Sequence, residues 1–269
     1  MKLSIFTTVT NPEKRGDNVR DAMNCYCELA DEIIYVDGNC NVASFPDKNI
    51  GWENDITIYN LYYPWPQEFS WEFIGQQFQR GYEACSGDWV IHADLDFIFH
   101  QKDFEAIRKA CENNPESPAL SFYKYQFIQP DKYNLKSRLV IAVNKKKYGH
   151  RIRFDSGGDL CQPSLDGNEL KPDHVPEAKI PFYNYEKMTK TKEQIKDDVE
   201  RMARAWQRHF GEYRLGTDET AYEEWLKMIK GRYSKPQTSF NLDDHPKYVK
   251  ETIKNLKPEQ FGFNGFGEL

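Results

Sequence analysis

What this sequence lacks narrows its function before any motif is read. A membrane span needs about 20 consecutive apolar residues, and no apolar run approaches that length, so no integral membrane segment is expected. A nucleic-acid binder needs surplus positive charge to neutralise phosphates. Here 36 basic residues stand against 42 acidic ones, a net charge of −6, and no nucleic-acid partner is expected. The six cysteines (Cys25, Cys27, Cys40, Cys85, Cys111, Cys161) form no CxxC pair, and Cys25-Tyr26-Cys27 has no second pair at zinc-finger spacing. Several fall at apolar helical positions, where cysteine behaves as a small hydrophobe. Reduced thiols and a cytoplasmic location follow as expectations. Internal repeats and low-complexity linkers are missing too. Met1 to Phe6 is too short for a signal peptide and reads as a strand.

What is present suits a globular enzyme. Aromatics make up 14% and charged residues 29% of 269 residues, enough for a sizeable core. Leu3 to Val9 is apolar and β-branched, the pattern of a buried first strand. It stops at Thr10-Asn11-Pro12. Asp17 or Asn18 then caps a helix whose Val19, Ala22, Met23, Tyr26 and Leu29 recur at helical spacing. Glu32 to Gly38 is a second strand ending in an acid and a glycine. Strand, helix, strand in so short a stretch predicts a right-handed βαβ unit with parallel strands.

Asn39 to Asn54 reads as loop and Asp55 to Tyr62 as a third strand. Ser70 caps a helix that buries Trp71, Ile74, Phe78, Tyr82 and Cys85. Gly75 and Gly81 lie inside it, and close packing on the sheet explains them more simply than a ligand does. Gln101 to Asn114 predicts a helix, and Ala119 to Phe127 and Ser137 to Val143 predict strands. Lys145-Lys146-Lys147 reads as a solvated loop, and Arg151 to Phe154 as a further strand. Helices are expected at Glu193 to Phe210, Glu219 to Ile229 and Tyr248 to Leu256. Phe261 to Gly267 is an aromatic tail that suits docking on the core or on a partner.

Chemistry concentrates in Gly87 to Phe99, an apolar strand after Gly87-Asp88-Trp89 that ends in Asp94-Leu95-Asp96. In an extended backbone Asp94 and Asp96 share one side, and two hard carboxylates suit one Mg²⁺ or Mn²⁺ ion. An Asp-x-Asp triplet alone is common in solvated turns; its position at the end of an apolar strand raises it. Parallel α/β sheets bind ligands at the carboxyl ends of their strands. Thr7, Thr8, Thr10 and Asn11 end the first strand and Asp37 the second, where they suit a nucleoside. Asp94 and Asp96 suit the metal and diphosphate. His92 points away from Ala93 and suits packing, and His150 and His174 flank later loops. Trp65, Trp71 and Tyr183 suit a sugar ring, although core packing is the commoner use of an isolated aromatic.

These residues resemble a GT-A glycosyltransferase, and within that fold the family 2-like enzymes. The resemblance is best over residues 1 to about 100. It rests on the Thr-rich first strand end, Ile34-Tyr35-Val36-Asp37-Gly38, Gly75-Gln76-Gln77-Phe78-Gln79-Arg80, and Gly87-Asp88-Trp89 before the Asp-x-Asp. Asp155-Ser156-Gly157-Gly158 and Pro181-Phe182-Tyr183-Asn184-Tyr185 resemble a subset of these enzymes. Phe78-Gln79 stands where the family commonly has Arg-Asn, and Asn184-Tyr185 where that subset often has His-Tyr.

The resemblance implies an α/β fold of GT-A type, a Rossmann-like mixed and mostly parallel sheet flanked by helices. The core would span 1–190, with a donor half at 1–100 and an acceptor half at 101–190. A helical C-terminal extension, 191–269, would pack on it. The implied activity is metal-dependent, inverting transfer from a nucleoside-diphosphate sugar to a glycan, lipid-linked or protein acceptor. Asp94 and Asp96 would hold Mn²⁺ or Mg²⁺, with His174 as a late histidine ligand. Gln77 and Gln79 join the nucleotide contacts, and Asp159 and then Glu177 are the candidate bases. The alternatives are a nucleotidyltransferase and a non-catalytic nucleotide- or sugar-binding protein on the same fold. The first is disfavoured because Thr7 to Asn18 holds only one glycine, Gly16.

Overall fold

A computed structural model of the chain describes residues 1–38, 56–66, 70–155 and 162–269. Its elements in chain order are β1 (Leu3–Val9), α1 (Pro12–Arg15), α2 (Val19–Leu29), β2 (Glu32–Asp37), β3 (Thr57–Tyr62), α3 (Trp71–Ala84), β4 (Trp89–His92) and β5 (Phe97–Ile98). There follow α4 (Phe104–Glu112), β6 (Ala119–Gln129), β7 (Lys132–Asn144), α5 (Lys145–Tyr148), β8 (Ile152–Arg153), β9 (Ser164–Leu165), β10 (Asn168–Glu169) and β11 (Glu177–Asn184). The last part holds α6 (Lys192–Phe210), α7 (Ala221–Tyr233), β12 (Thr238–Ser239), α8 (Lys250–Lys254) and α9 (Phe261–Asn264).

Local chemistry accounts for the main boundaries. The Asn18 side chain accepts from the Asp21 amide at 3.2 Å and opens α2. Ser70 does the same for Phe73 at the start of α3, also at 3.2 Å. Thr191 and Gln194 form a capping box at the head of α6, and Gly211 closes that helix at φ 79°. Every residue of β2 is buried, as a central parallel strand requires.

The main sheet runs β3-β2-β1-β4-β7-β6-β11-β5, with β12 added beside β7. β3, β2, β1 and β4 are mutually parallel. β7 runs against β4 and β6, β11 is parallel to β6, and β5 runs against β11. β8, β9 and β10 form a small antiparallel sheet. This is the mixed, mostly parallel, helix-flanked sheet expected of the GT-A resemblance.

Alternation along β1 feeds two cores. Leu3, Ile5 and Val9 join α2 residues Met23 and Tyr26 on one face. Phe6 joins Phe78 and Tyr82 of α3 on the other. Gly81 is a packing glycine: a Cβ there would lie 2.7 Å from the Phe6 ring. A third cluster seats Ile195 of α6, Trp225 and Ile229 of α7, and Phe261 around Ile128 of β6. The aromatic tail therefore docks on the core, with the Phe261 and Trp225 rings 5.3 Å apart. Cys25, Cys27, Cys85 and Cys111 are buried free thiols. No helix among the described residues is long and apolar enough to cross a membrane.

Two differences from the expected elements matter for the site. β4 stops at His92, so Asp94 and Asp96 stand in the turn between β4 and β5 rather than in the strand. The β6–β7 hairpin is also longer than its apolar residues predict. β4 pairs with β7 only from Asn144 to Ala142, while β6 stays paired with β7 out to Lys132. The hairpin therefore extends past the carboxyl end of β4. Irregular register between Phe122 and Lys124 bends it on the way.

Candidate active site

The turn after β4 is held rigidly by its neighbours. Tyr26 Oη donates to the carbonyls of Asp94 at 2.5 Å and Phe97 at 2.9 Å. The Tyr185 amide donates to the Asp96 carbonyl at 3.0 Å, and Asn184 Nδ2 to Asp96 Oδ2 at 2.5 Å. Ala93 and Leu95 are buried in the core, which leaves both carboxylates facing a cavity of about 360 Å³. Thr8 and Thr10 at the end of β1, Trp65 after β3, and Trp71 and Phe78 of α3 also line it. Lys124 of β6 and Leu139 of β7 bring the long hairpin to the same space.

The two carboxylates are not equivalent. Burial works against the charge of Asp94, but His92, with Nε2 at 3.2 Å, and Lys124 outweigh it and hold its pKa below the usual carboxylate range. Asp96 has less relief: burial, Asp94 and Glu186 outweigh Lys124 and push it up to about 7. This is a turn with one negative charge more than it can comfortably hold. His92 stacks on Phe6 at 4.9 Å and packs against Phe78 at 4.0 Å, which fixes it beside Asp94.

A cluster of cations lines the same cavity: Arg15, Lys187, Lys190 and Arg201, together with Asp17 and Asp198. Asp198 is the hub. It is 5% exposed and lies 2.7 Å from Lys190 and Arg201, 3.0 Å from Lys187 and 4.0 Å from Arg15. Burial opposes its ionisation, but Lys187, Lys190, Arg15 and Arg201 keep it far below the usual range. Asp17 lies 2.9 Å from Lys190 and 3.0 Å from Arg15. Glu186 lies 3.0 Å from Lys187, and that cation lowers its pKa. One cavity thus carries an acidic turn beside four cations that are held in an ionic network by Asp17, Glu186 and Asp198.

The structure gathers some of the expected site residues and disperses others. Thr8, Thr10, Asp94 and Asp96 line the cavity. Thr7 does not: it is fully buried in the sheet. Asn11 caps α1 with φ 49°, its carbonyl accepting from the Arg15 amide at 3.0 Å. Asp37 is buried at the end of β2, its carbonyl accepting from Tyr63 at 2.8 Å, and it is absent from the cavity lining. Beside it, Trp65 lies against Gly38, where a Cβ would come within 1.9 Å of the indole.

Four expectations need correction. The Gln77 amide donates to the Tyr63 carbonyl at 3.0 Å. Gln79 accepts from the Phe154 amide at 2.8 Å and donates to Glu83 at 2.9 Å. Both glutamines brace α3 instead of reaching the cavity. His174 sits on an exposed turn, Pro172–His174, whose Asp173 pairs with Arg138. Glu177 begins β11, the end remote from Asn184, and lies 3.4 Å from Arg138. Asp159 lies outside the described residues. Tyr183 is a core residue, stacked on Phe127 at 5.9 Å.

The sequence reading missed the cation cluster and Glu186. The cluster is assembled from α1, the segment after β11, and α6, so no local motif announces it. One signal was available: Asp198 falls on the same helical stripe as Ile195, Val199 and Met202, where a charge demands partners.

No family model matches the sequence, and no curated protein does. Among solved structures, S. aureus TarS 1-349 overlaps with a TM-score of 0.45 at 11% identity, over 100% of this chain and 88% of that one. The mannosyltransferase PcManGT from Pyrobaculum calidifontis, in complex with GDP-Man and Mn²⁺, overlaps with a TM-score of 0.41 at 8% identity, over 88% and 76%. The 4-diphosphocytidyl-2C-methyl-D-erythritol synthase of Anaerococcus prevotii overlaps with a TM-score of 0.36 at 16% identity, over 54% of this chain and 70% of that one. These scores are low, and the fold rests on the strand order above rather than on these overlaps.

Proposed function

We propose that this protein is a glycosyltransferase that moves a sugar from a nucleoside-diphosphate sugar to an acceptor hydroxyl, with a divalent cation and inversion at the anomeric carbon. The observation that carries this reading is the pairing of charges in one cavity. Asp94 and Asp96 suit a hard divalent cation, and Arg15, Lys187, Lys190 and Arg201 suit a diphosphate. Thr8, Thr10 and the Trp65 indole offer hydrogen bonds and an aromatic face to the nucleoside.

The donor set fits Mn²⁺ or Mg²⁺. No group of three or more His, Cys, Asp or Glu able to hold a metal occurs among the described residues. Two carboxylates completed by substrate oxygens and water is how Mg²⁺ is commonly held in phosphate chemistry. The raised pKa of Asp96 supports this, since it reflects negative charge awaiting a partner. When bound, the cation would supply charge neutralisation at the leaving diphosphate.

The lysines and arginines would orient that diphosphate and take up its growing charge without reorganising. The acceptor oxygen bonds to the anomeric carbon as the bond to the diphosphate oxygen breaks. The diphosphate leaves with the electron pair, and the acceptor proton passes to a base. Glu186 makes a poor base because Lys187 lowers its pKa. Asp159 is proposed instead. Thr8, Thr10 and Trp65 support a donor half within residues 1–100, and Lys124 and Leu139 an acceptor half within 101–190. The region after 190 takes part as well, through Asp198 and Arg201.

The test is release of nucleoside diphosphate from a panel of nucleotide sugars with Mn²⁺. Turnover is expected for at least one donor, and Asp96→Ala should lower it by about 100-fold or more. Pyrophosphate release from a nucleoside triphosphate would favour a nucleotidyltransferase instead. Donor binding without turnover on any acceptor would favour a binding protein.

A further inference from the structure

The β6–β7 hairpin carries polar groups that the donor reading leaves unused. Asn184, Gln126 and Asn134 stand in one row across β11, β6 and β7, because Asn184 pairs with Gln126 and Gln126 with Asn134. Each has a buried amide atom without a hydrogen-bond partner: Asn184 Oδ1, Gln126 Oε1 and Asn134 Nδ2. Asn184 is wholly buried, and its Nδ2 is the group that holds Asp96. Orphaned amides are costly in a core, and three in one row argue for a ligand that completes them.

The next row sets Lys124 directly opposite Lys136. Like charges in that position repel. Burial, Arg232 of α7 and Lys124 together push the Lys136 ammonium down to about 8. Asp94, Asp96 and Glu186 act on Lys124, and Glu186, already engaged with Lys187, also acts on Lys136 and Arg232. Lys124 also lines the cavity of Asp94 and Asp96. The strip therefore begins where a transferred sugar would have to leave.

We infer that this strip is the acceptor subsite, and that it takes a hydroxyl-rich acid, a sugar or polyol bearing a phosphate or a carboxylate. Side-chain amides match hydroxyls, which donate and accept at once. Lys124, Lys136 and Arg232 match the acid group. This assignment rests on the transferase reading for the word acceptor; the binding chemistry stands on the strip alone.

Titration calorimetry on the full chain tests it, with the donor site first filled by a nucleoside diphosphate and Mn²⁺. Glucose 6-phosphate, glucuronate and glucose are compared. One or both acids should bind about ten-fold more tightly than glucose, and the better acid identifies the group recognised. Lys136→Gln should remove most of that preference while leaving nucleoside diphosphate affinity unchanged. Arg232→Gln, on a partly exposed helix position, serves if Lys136→Gln does not fold. Equal binding of the three sugars, no binding, or an acid preference untouched in the folded variants would overturn the inference. If the nucleoside diphosphate itself does not bind but the acid preference appears and depends on Lys136, the strip is supported and the donor reading fails.

Discussion

Asp96 holds a proton to about pH 7 because burial, Asp94 and Glu186 all disfavour its charge. An ordinary aspartate in the unfolded chain loses that proton near pH 4. Between those values the folded state binds a proton that the unfolded state does not, so this residue costs stability as pH rises through the window. Asp96→Asn removes the titration and keeps an oxygen for Asn184 Nδ2 to meet. The variant should match the wild type near pH 4 and be more stable near pH 8 by about 1–2 kcal/mol. The full shift would give about 4 kcal/mol, but access to solvent screens much of it. Urea unfolding at the two pH values measures this, and a variant less stable than wild type near pH 8 would refute the repulsion argument. Function and stability thus pull in opposite directions at one side chain, a mark of a site shaped for a ligand rather than for the fold.

Elements differ in how openly they are written in the chain. α2 and α3 are legible from their caps, Asn18 and Ser70, and their apolar stripes, and α6 from its stripe alone, its Thr191 cap being seen only in the fold. β1 and β2 are legible because a strand buried on both faces carries a dense run of apolar residues, such as Ile33 to Val36. The β6–β7 hairpin is not, because no strand is expected between Phe127 and Ser137, and Lys132 to Lys136 is held as strand by its partner's register. Gln77 and Gln79 resembled a nucleotide motif but serve as braces, a distinction that depends on where Tyr63 and Phe154 lie. The Asp-x-Asp pair was legible, though as a strand end rather than a turn, and its cations were not, for they meet only when α6 folds back over α1. Asp198 is what ties those elements together. Asp198→Asn should cost about 3–5 kcal/mol, the range for removing one member of a buried ionic cluster. Chemical denaturation checks it; a loss below about 1 kcal/mol would mean that the cations around Asp198 are well solvated without it.

At the scale of the molecule, the proposed function has the cavity satisfied by two ligands at once. A divalent cation alone relieves Asp94 and Asp96 but adds to the field of Arg15, Lys187, Lys190 and Arg201. A nucleoside diphosphate alone relieves those cations but brings negative charge toward the aspartates. Bound together, each ligand removes the other's penalty, and such coupling is reciprocal. Mn²⁺ alone and nucleoside diphosphate alone should each raise Tm little. Together, at about a hundred times the joint Kd, they should raise it by about 5 °C or more, given some 2.7 kcal/mol of linkage. Each variant is scored against its own unliganded Tm, so a lowered baseline does not confuse the comparison. Lys190→Gln should shrink the joint shift while preserving the response to Mn²⁺, because it weakens only the diphosphate side. Asp96→Ala should make the two ligands independent. Additive shifts in the wild type would show that the acidic turn and the basic cluster serve separate ligands, and the single-donor reading of the cavity would fall with them.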